Sequence, residues 1–135
     1  MRSRALAAAG LILLALATLT ADVAGARRER APARLMVSAQ EHSLMLSRQG
    51  IAAGPALIQF LNRGEDPHDL RIRRIARRGV SARRTLGVPE IKSGDLAELE
   101  VRLPAGRYRL WCSIPGHEQL GMRARLRVVR TSNSH

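Results

Sequence analysis

Tyr108-Arg109-Leu110-Trp111-Cys112-Ser113-Ile114-Pro115-Gly116-His117-Glu118-Gln119-Leu120-Gly121-Met122 decides how the whole chain is read. Tyr108, Leu110 and Cys112 alternate along one face of a strand, and Pro115-Gly116 then turns the backbone into a loop. Cys112, His117 and Met122 follow one another at five-residue intervals. A thiolate, an imidazole and a thioether that close together suggest copper, and two histidines, one cysteine and a weak axial methionine are the ligand set of blue-copper centres. Such a site needs one more histidine.

The flanks extend the pattern. Leu103-Pro104-Ala105-Gly106-Arg107-Tyr108 leads into Cys112, then come Pro115-Gly116-His117, Gly121-Met122 and a closing strand from Arg123 to Val129. This compound pattern resembles the C-terminal ligand loop of the cupredoxins, the type 1 or blue copper proteins that include the plastocyanin and azurin types. Its Cys-x4-His-x4-Met spacing is similar to the rusticyanin and auracyanin loops. The resemblance implies an all-β, Greek-key, two-sheet sandwich holding one copper ion per chain on His68, Cys112, His117 and Met122.

His68 enters this set by its position. An apolar strand from Ala56 to Asn62 ends at Asn62-Arg63-Gly64-Glu65-Asp66-Pro67, and Leu70 and Ile72 follow His68 at strand spacing. The first copper histidine of cupredoxins occurs in such a place. The residue after it commonly ties the two ligand loops together as Asn; Asp69 departs from that but keeps a short side chain able to accept the same hydrogen bonds. The resemblance also implies the Pro67 carbonyl on the side of the metal opposite Met122. His42 reads as an exposed turn residue, His135 as a frayed end and Met36 and Met45 as core or surface filler; these two and Met1 are poor substitutes for Met122, since none follows His117.

The N-terminus reads as a secretory signal peptide over residues 1–26: Arg2 and Arg4, an apolar run from Ala5 to Leu19, then Ala24-Gly25-Ala26. The run is shorter than the roughly 20 residues that span a bilayer, so an uncleaved membrane anchor is the lesser alternative. Export to the periplasm or the medium also bears on Cys112. It is the only cysteine, and a lone thiol in an oxidising compartment calls for an explanation that metal ligation supplies.

A basic flexible tail is expected over 27–33, the domain over 34–130 and a frayed C-terminus over 131–135. The chain carries 23 Lys and Arg against 11 Asp and Glu, a formal net charge of +12. Nucleic acid is excluded as partner by export and by the scarcity of aromatic stacking residues. An acidic redox protein, such as a cytochrome or terminal oxidase, or an anionic membrane surface fits better. Arg71, Arg73, Arg74, Arg77, Arg78, Arg83 and Arg84 read either as a docking patch for such a partner or as a solvated face.

Further strands are expected where Leu35, Val37 and Ala39 alternate with polar residues, over Ser43 to Ser47, and where Ala97, Leu99, Val101 and Leu103 alternate with Glu98, Glu100 and Arg102. Gln49 to Pro55 reads as turn and Thr85 to Lys92 as irregular, giving about seven strands. Tyr108 is placed like the tyrosine of a Greek-key corner. The functional expectation is a monomeric one-electron carrier without enzymatic activity, its electron leaving through His117 and the apolar patch Ile114, Pro115, Gly116 and Leu120. A copper carrier or resistance protein would use the same ligands, and a copper-free interaction module would need one of them misplaced.

Overall fold

The computed structural model describes residues 30–78 and 84–131. The signal peptide, Arg83 and residues 132–135 lie outside the described residues. Nine strands form, with no helix among the described residues: β1 Ala33–Gln40, β2 Ser43–Leu46, β3 Gly50–Ala52, β4 Gly54–Asn62, β5 His68–Arg74, β6 Leu86–Ile91, β7 Leu96–Leu103, β8 Gly106–Trp111 and β9 Arg123–Val129. They make two mixed sheets, one ordered β2-β1-β4-β7 and the other β3-β9-β8-β5-β6. Packed face to face, the sheets form the expected all-β sandwich. Pairing is parallel for β1 with β4 and β3 with β9, and antiparallel elsewhere.

Period-two patterning explains why these segments are strands. Leu35, Val37 and Ala39 of β1, Ile58 and Phe60 of β4, Leu70 and Ile72 of β5, Leu110 of β8 and Leu126 of β9 are wholly buried in one core. Cys112 and Met122 belong to the same core at the end where β8 leaves and β9 begins. Tyr108, also buried, donates its hydroxyl to the Pro104 carbonyl four residues back at 2.8 Å. That bond closes the corner before β8 and fixes the strand that presents Cys112.

Two strands arise where the sequence suggested turn or irregular chain. β3 pairs only Gly50 to Ala52 with the end of β9. β6 contains both Gly87 and Pro89, which argue against a strand in isolation. It is an edge strand, so Pro89 sits exposed without breaking the sheet. Gly87 is required by close approach: a Cβ there would lie 2.1 Å from the Leu70 carbonyl oxygen. The same pairing shifts register between His68 and Leu70, a bulge that re-aims the chain beside His68.

Candidate metal centre

The site is built at one end of the sandwich, from the loop before β5 and the loop between β8 and β9. Buried Asn62 organises the first loop. Its amide donates to the carbonyls of Asp66 (2.8 Å) and Ile91 (3.2 Å), and its side-chain oxygen accepts the Gly64 N–H at 2.9 Å. The loop thereby delivers His68 at the first position of β5, fully buried. The second loop is closed by its own backbone. His117 N donates to Ile114 O (3.1 Å), Met122 N to His117 O (3.0 Å) and Cys112 N to Met122 O (3.1 Å). Residues five and ten apart in sequence are thus held across one small ring.

The donors converge. One ligand atom each from His68, Cys112 and His117 lies within 4.8 Å of the others. His68 Nδ1 stands 3.3 Å from His117 Nδ1, and Cys112 Sγ 3.7 Å from the same nitrogen. Ligand atoms about 2.0–2.3 Å from a shared first-row metal ion, as for zinc, sit about this far apart in a trigonal plane. Met122 is fully buried next to this group.

Glu41, in the turn between β1 and β2, was not flagged by the sequence and supports the site directly. Its Oε1 lies 3.3 Å from His68 Nε2 and accepts the backbone N–H of Glu65 (2.6 Å) and Asp66 (2.9 Å). A carboxylate can only accept, so His68 carries its proton on Nε2 and leaves the Nδ1 lone pair facing the other donors. Amide protons from Asp66, from its own backbone and from Glu65 hold the Glu41 carboxyl down at about 2. Gly64 makes room for it, since a Cβ there would fall 2.1 Å from Oε1. No local motif marks Glu41; only the β1–β4 pairing brings it to a histidine 27 residues away.

Asp69 joins the two ligand loops. Buried at 3% exposure, it accepts the Ser113 backbone N–H at 2.6 Å and the Ser113 hydroxyl at 2.5 Å, while Arg71 donates to it at 3.0 Å. Burial works to raise its carboxyl, but Ser113 and Arg71 together hold it below the usual range. Burial pushes the Cys112 thiol up. The metal-free protein therefore keeps that proton, and a metal ion must displace it on binding sulfur.

His42 corrects one expectation. It is half-buried rather than exposed, adopts a positive φ of 40°, and sets its ring edge-on to His117 with centroids 5.5 Å apart. Its Nδ1 is buried without a hydrogen-bond partner. Turn residues read as a solvated corner pack against the site because that corner folds over the His117 loop, where the His42 carbonyl approaches Gly121.

The remaining candidates are dispersed. Pro67 is exposed immediately before His68; around half-buried His117, Pro115, Gly116 and Leu120 are exposed and Ile114 half-buried. The described arginines of this run fall into groups: Arg71 and Arg73 lie on the outer face of β5, and Arg74 and Arg77 line a cleft at its far end. Arg71 serves Asp69 and Ser113, Arg73 lies over Trp111, and Arg74 donates to the Ala105 carbonyl at the far end of β5. Arg77, Arg78 and Arg84 are exposed beyond the strands.

No protein-family model matches the chain, and no curated protein matches its sequence. Solved structures match its fold. An auracyanin from Roseiflexus castenholzii superposes with a TM-score of 0.56 at 13% identity, covering 74% of this chain and 99% of that one. Auracyanin A from Chloroflexus aurantiacus, described as a "blue" copper protein, gives 0.57 at 18% identity, covering 73% and 100%. Rusticyanin from Thiobacillus ferrooxidans gives 0.57 at 17% identity, covering 71% and 76%. The fold is the cupredoxin fold. Within it, His68, Cys112, His117 and Met122 fit a single type 1 copper site.

Proposed function

We propose that this protein is an exported carrier of single electrons built around one type 1 copper ion. The observation that carries the reading is the convergence of the His68, Cys112 and His117 donor atoms within 4.8 Å beside buried Met122. Bound there, copper exchanges one electron between Cu(II) and Cu(I). The chain's part is to hold the donors still: Glu41 keeps the proton on His68 Nε2, Asp69 clamps the Cys112 loop to β5, and the core excludes water from the sulfur. Four protein donors leave no position for a substrate, which supports a carrier rather than an enzyme. Half-buried His117 with exposed Leu120 at its edge is the route for the electron.

Arg2, Arg4, the apolar run and Ala24-Gly25-Ala26 support export to the periplasm or medium. An acidic redox protein is the proposed partner, attracted by exposed arginines such as Arg77 and Arg78. Rates with an acidic cytochrome should fall as salt rises, and Arg77→Glu with Arg78→Glu should flatten that dependence.

The deciding experiment is a visible spectrum after adding Cu(II). Intense thiolate-to-copper absorption, lost in Cys112→Ser while the fold persists, is expected; a pale complex sinks the copper reading and leaves a copper-free interaction module. Repeated reduction and reoxidation in the presence of a Cu(I) chelator then separates the two copper functions. Retention of the metal supports electron transfer, and its release to the chelator supports copper delivery.

A further inference from the structure

The outer face of the five-stranded sheet is covered with arginine in a regular lattice. Cross-strand register places Arg73 opposite Arg109, and Arg109 opposite Arg125, so three guanidinium groups run across β5, β8 and β9. One pair further along, Arg107 faces Arg127. Toward the metal end, Trp111 lies between Arg71 and Arg123 in register, with the guanidinium of Arg109 4.5 Å and that of Arg73 5.6 Å from its ring centre. Their strand neighbours Ile72, Tyr108, Leu110, Leu126 and Val128 point into the core, so the arginines share the opposite face by alternation.

Two carboxylates offset this charge, Asp69 on Arg71 and Glu118 on Arg109. Arg107, Arg123, Arg125 and Arg127 have no ion pair among the described residues. Like charges directly opposite each other on neighbouring strands weaken a sheet, so the face carries a standing cost that a polyanionic surface would relieve. At the end away from the metal the lattice runs into a cleft of about 810 Å³ lined by Arg74, Arg77, Arg107, Arg127 and Arg130. Within it lie Ile75 and Val129, two large apolar side chains exposed at 40% and 47%.

We propose that this face docks the protein on an anionic lipid surface. A sheet face bearing arginines at strand spacing, with a half-buried Trp at one end and exposed apolar side chains at the other, suits a layer of headgroup phosphates above an acyl boundary. On this sheet face an acidic redox protein is the less fitting occupant, its proposed attraction resting on Arg77 and Arg78 beyond the strands. Electron-transfer encounters are small and must come apart, whereas this arginine surface spans three strands and continues into the cleft. The proposal goes beyond electron transfer and does not depend on copper.

The test uses the protein as its host processes it, and phosphatidylcholine vesicles with or without phosphatidylglycerol. Trp111 is the only tryptophan, so its emission reports docking without a label. Binding to the anionic vesicles alone, weakened by salt, is expected. Arg107→Gln/Arg125→Gln/Arg127→Gln should bind roughly a hundredfold more weakly, at about 1 kcal/mol per arginine. Arg34→Gln/Arg48→Gln/Arg63→Gln, with the same loss of net charge elsewhere on the surface, should bind nearly as the parent does. The single Arg125→Gln, expected to lose about fivefold on the same basis, keeps the test available if the triple variant fails to fold. Equal weakening by both triple sets would overturn the assignment of this face. Binding to polyglutamate but not to the vesicles would overturn the lipid.

Discussion

Glu41 and His68 stand 27 residues apart in sequence, yet the Glu41 carboxylate oxygen lies 3.3 Å from Nε2 of the buried His68 ring. The contact assigns the imidazole proton to Nε2 and frees Nδ1 for the metal. Removal of such an outer partner typically lowers metal affinity by about 10–100-fold. Glu41→Ala should weaken Cu(II) binding by that order in a competition titration, whereas Glu41→Gln, which keeps an acceptor oxygen, should lose much less. An affinity unchanged in Glu41→Ala would show that the turn merely lies nearby.

Asp69→Ala should destabilise the metal-free domain. It strands the Ser113 amide in a part-buried position, a loss of about 1–3 kcal/mol, or several degrees in thermal midpoint for a domain of this size. Asp69→Asn keeps an acceptor for the Ser113 N–H but not the carboxylate that Arg71 and the Ser113 hydroxyl share, so it should fall between. Equal midpoints for all three proteins would contradict the clamp.

Met122→Leu should retain the charge-transfer colour and raise the reduction potential, because a thioether offers Cu(II) a weak lone pair and an alkyl chain none. Cyclic voltammetry reads the outcome directly. A lower or unchanged potential would show that Met122 is not a ligand to the copper.

Acid should destabilise the fold in a definite window. Glu41, at about 2, and Asp69 both titrate lower in the folded protein than in the unfolded chain. Their contribution is complete above the ordinary carboxylate range. It declines as the unfolded chain begins to take up protons near pH 4–5, and the Glu41 share is gone once that carboxyl protonates near pH 2. Urea midpoints of the metal-free protein measured between pH 7 and pH 2.5 should fall across that window, less steeply in Glu41→Gln. A flat profile would mean these carboxylates are no better solvated folded than unfolded.

The sandwich was legible because Leu35, Val37 and Ala39, or Tyr108, Leu110 and Cys112, alternate without interruption, and period two is what a half-buried strand requires. β6 was not, because Gly87 and Pro89 are breakers on their own and are tolerated only by an edge position and the close approach of Leu70. The C-terminal donors were legible for a similar reason: Cys112, His117 and Met122 sit in one short loop. Glu41 and His42 act on the site from a distant turn, and no spacing rule reaches across a parallel β1–β4 pairing. Arg71 and Arg73 were legible as part of a basic run, but their place in a lattice with Arg109 and Arg125 was not, because it depends on the register of β5, β8 and β9.

The ring closed by the Cys112, His117 and Met122 backbone has a consequence for the order of assembly. Three of the four donors lie within eleven consecutive residues, so an unfolded chain can hold a metal ion loosely on this segment before any sheet exists. His68 joins only when β5 pairs with β8, and Glu41 only when β1 pairs with β4. Non-local pairings of this kind form slowly. Metal added before refolding would thus also bind the unfolded chain, and that binding subtracts from the stability the metal gives the native state. Refolding first and loading afterwards should give the faster and more complete recovery.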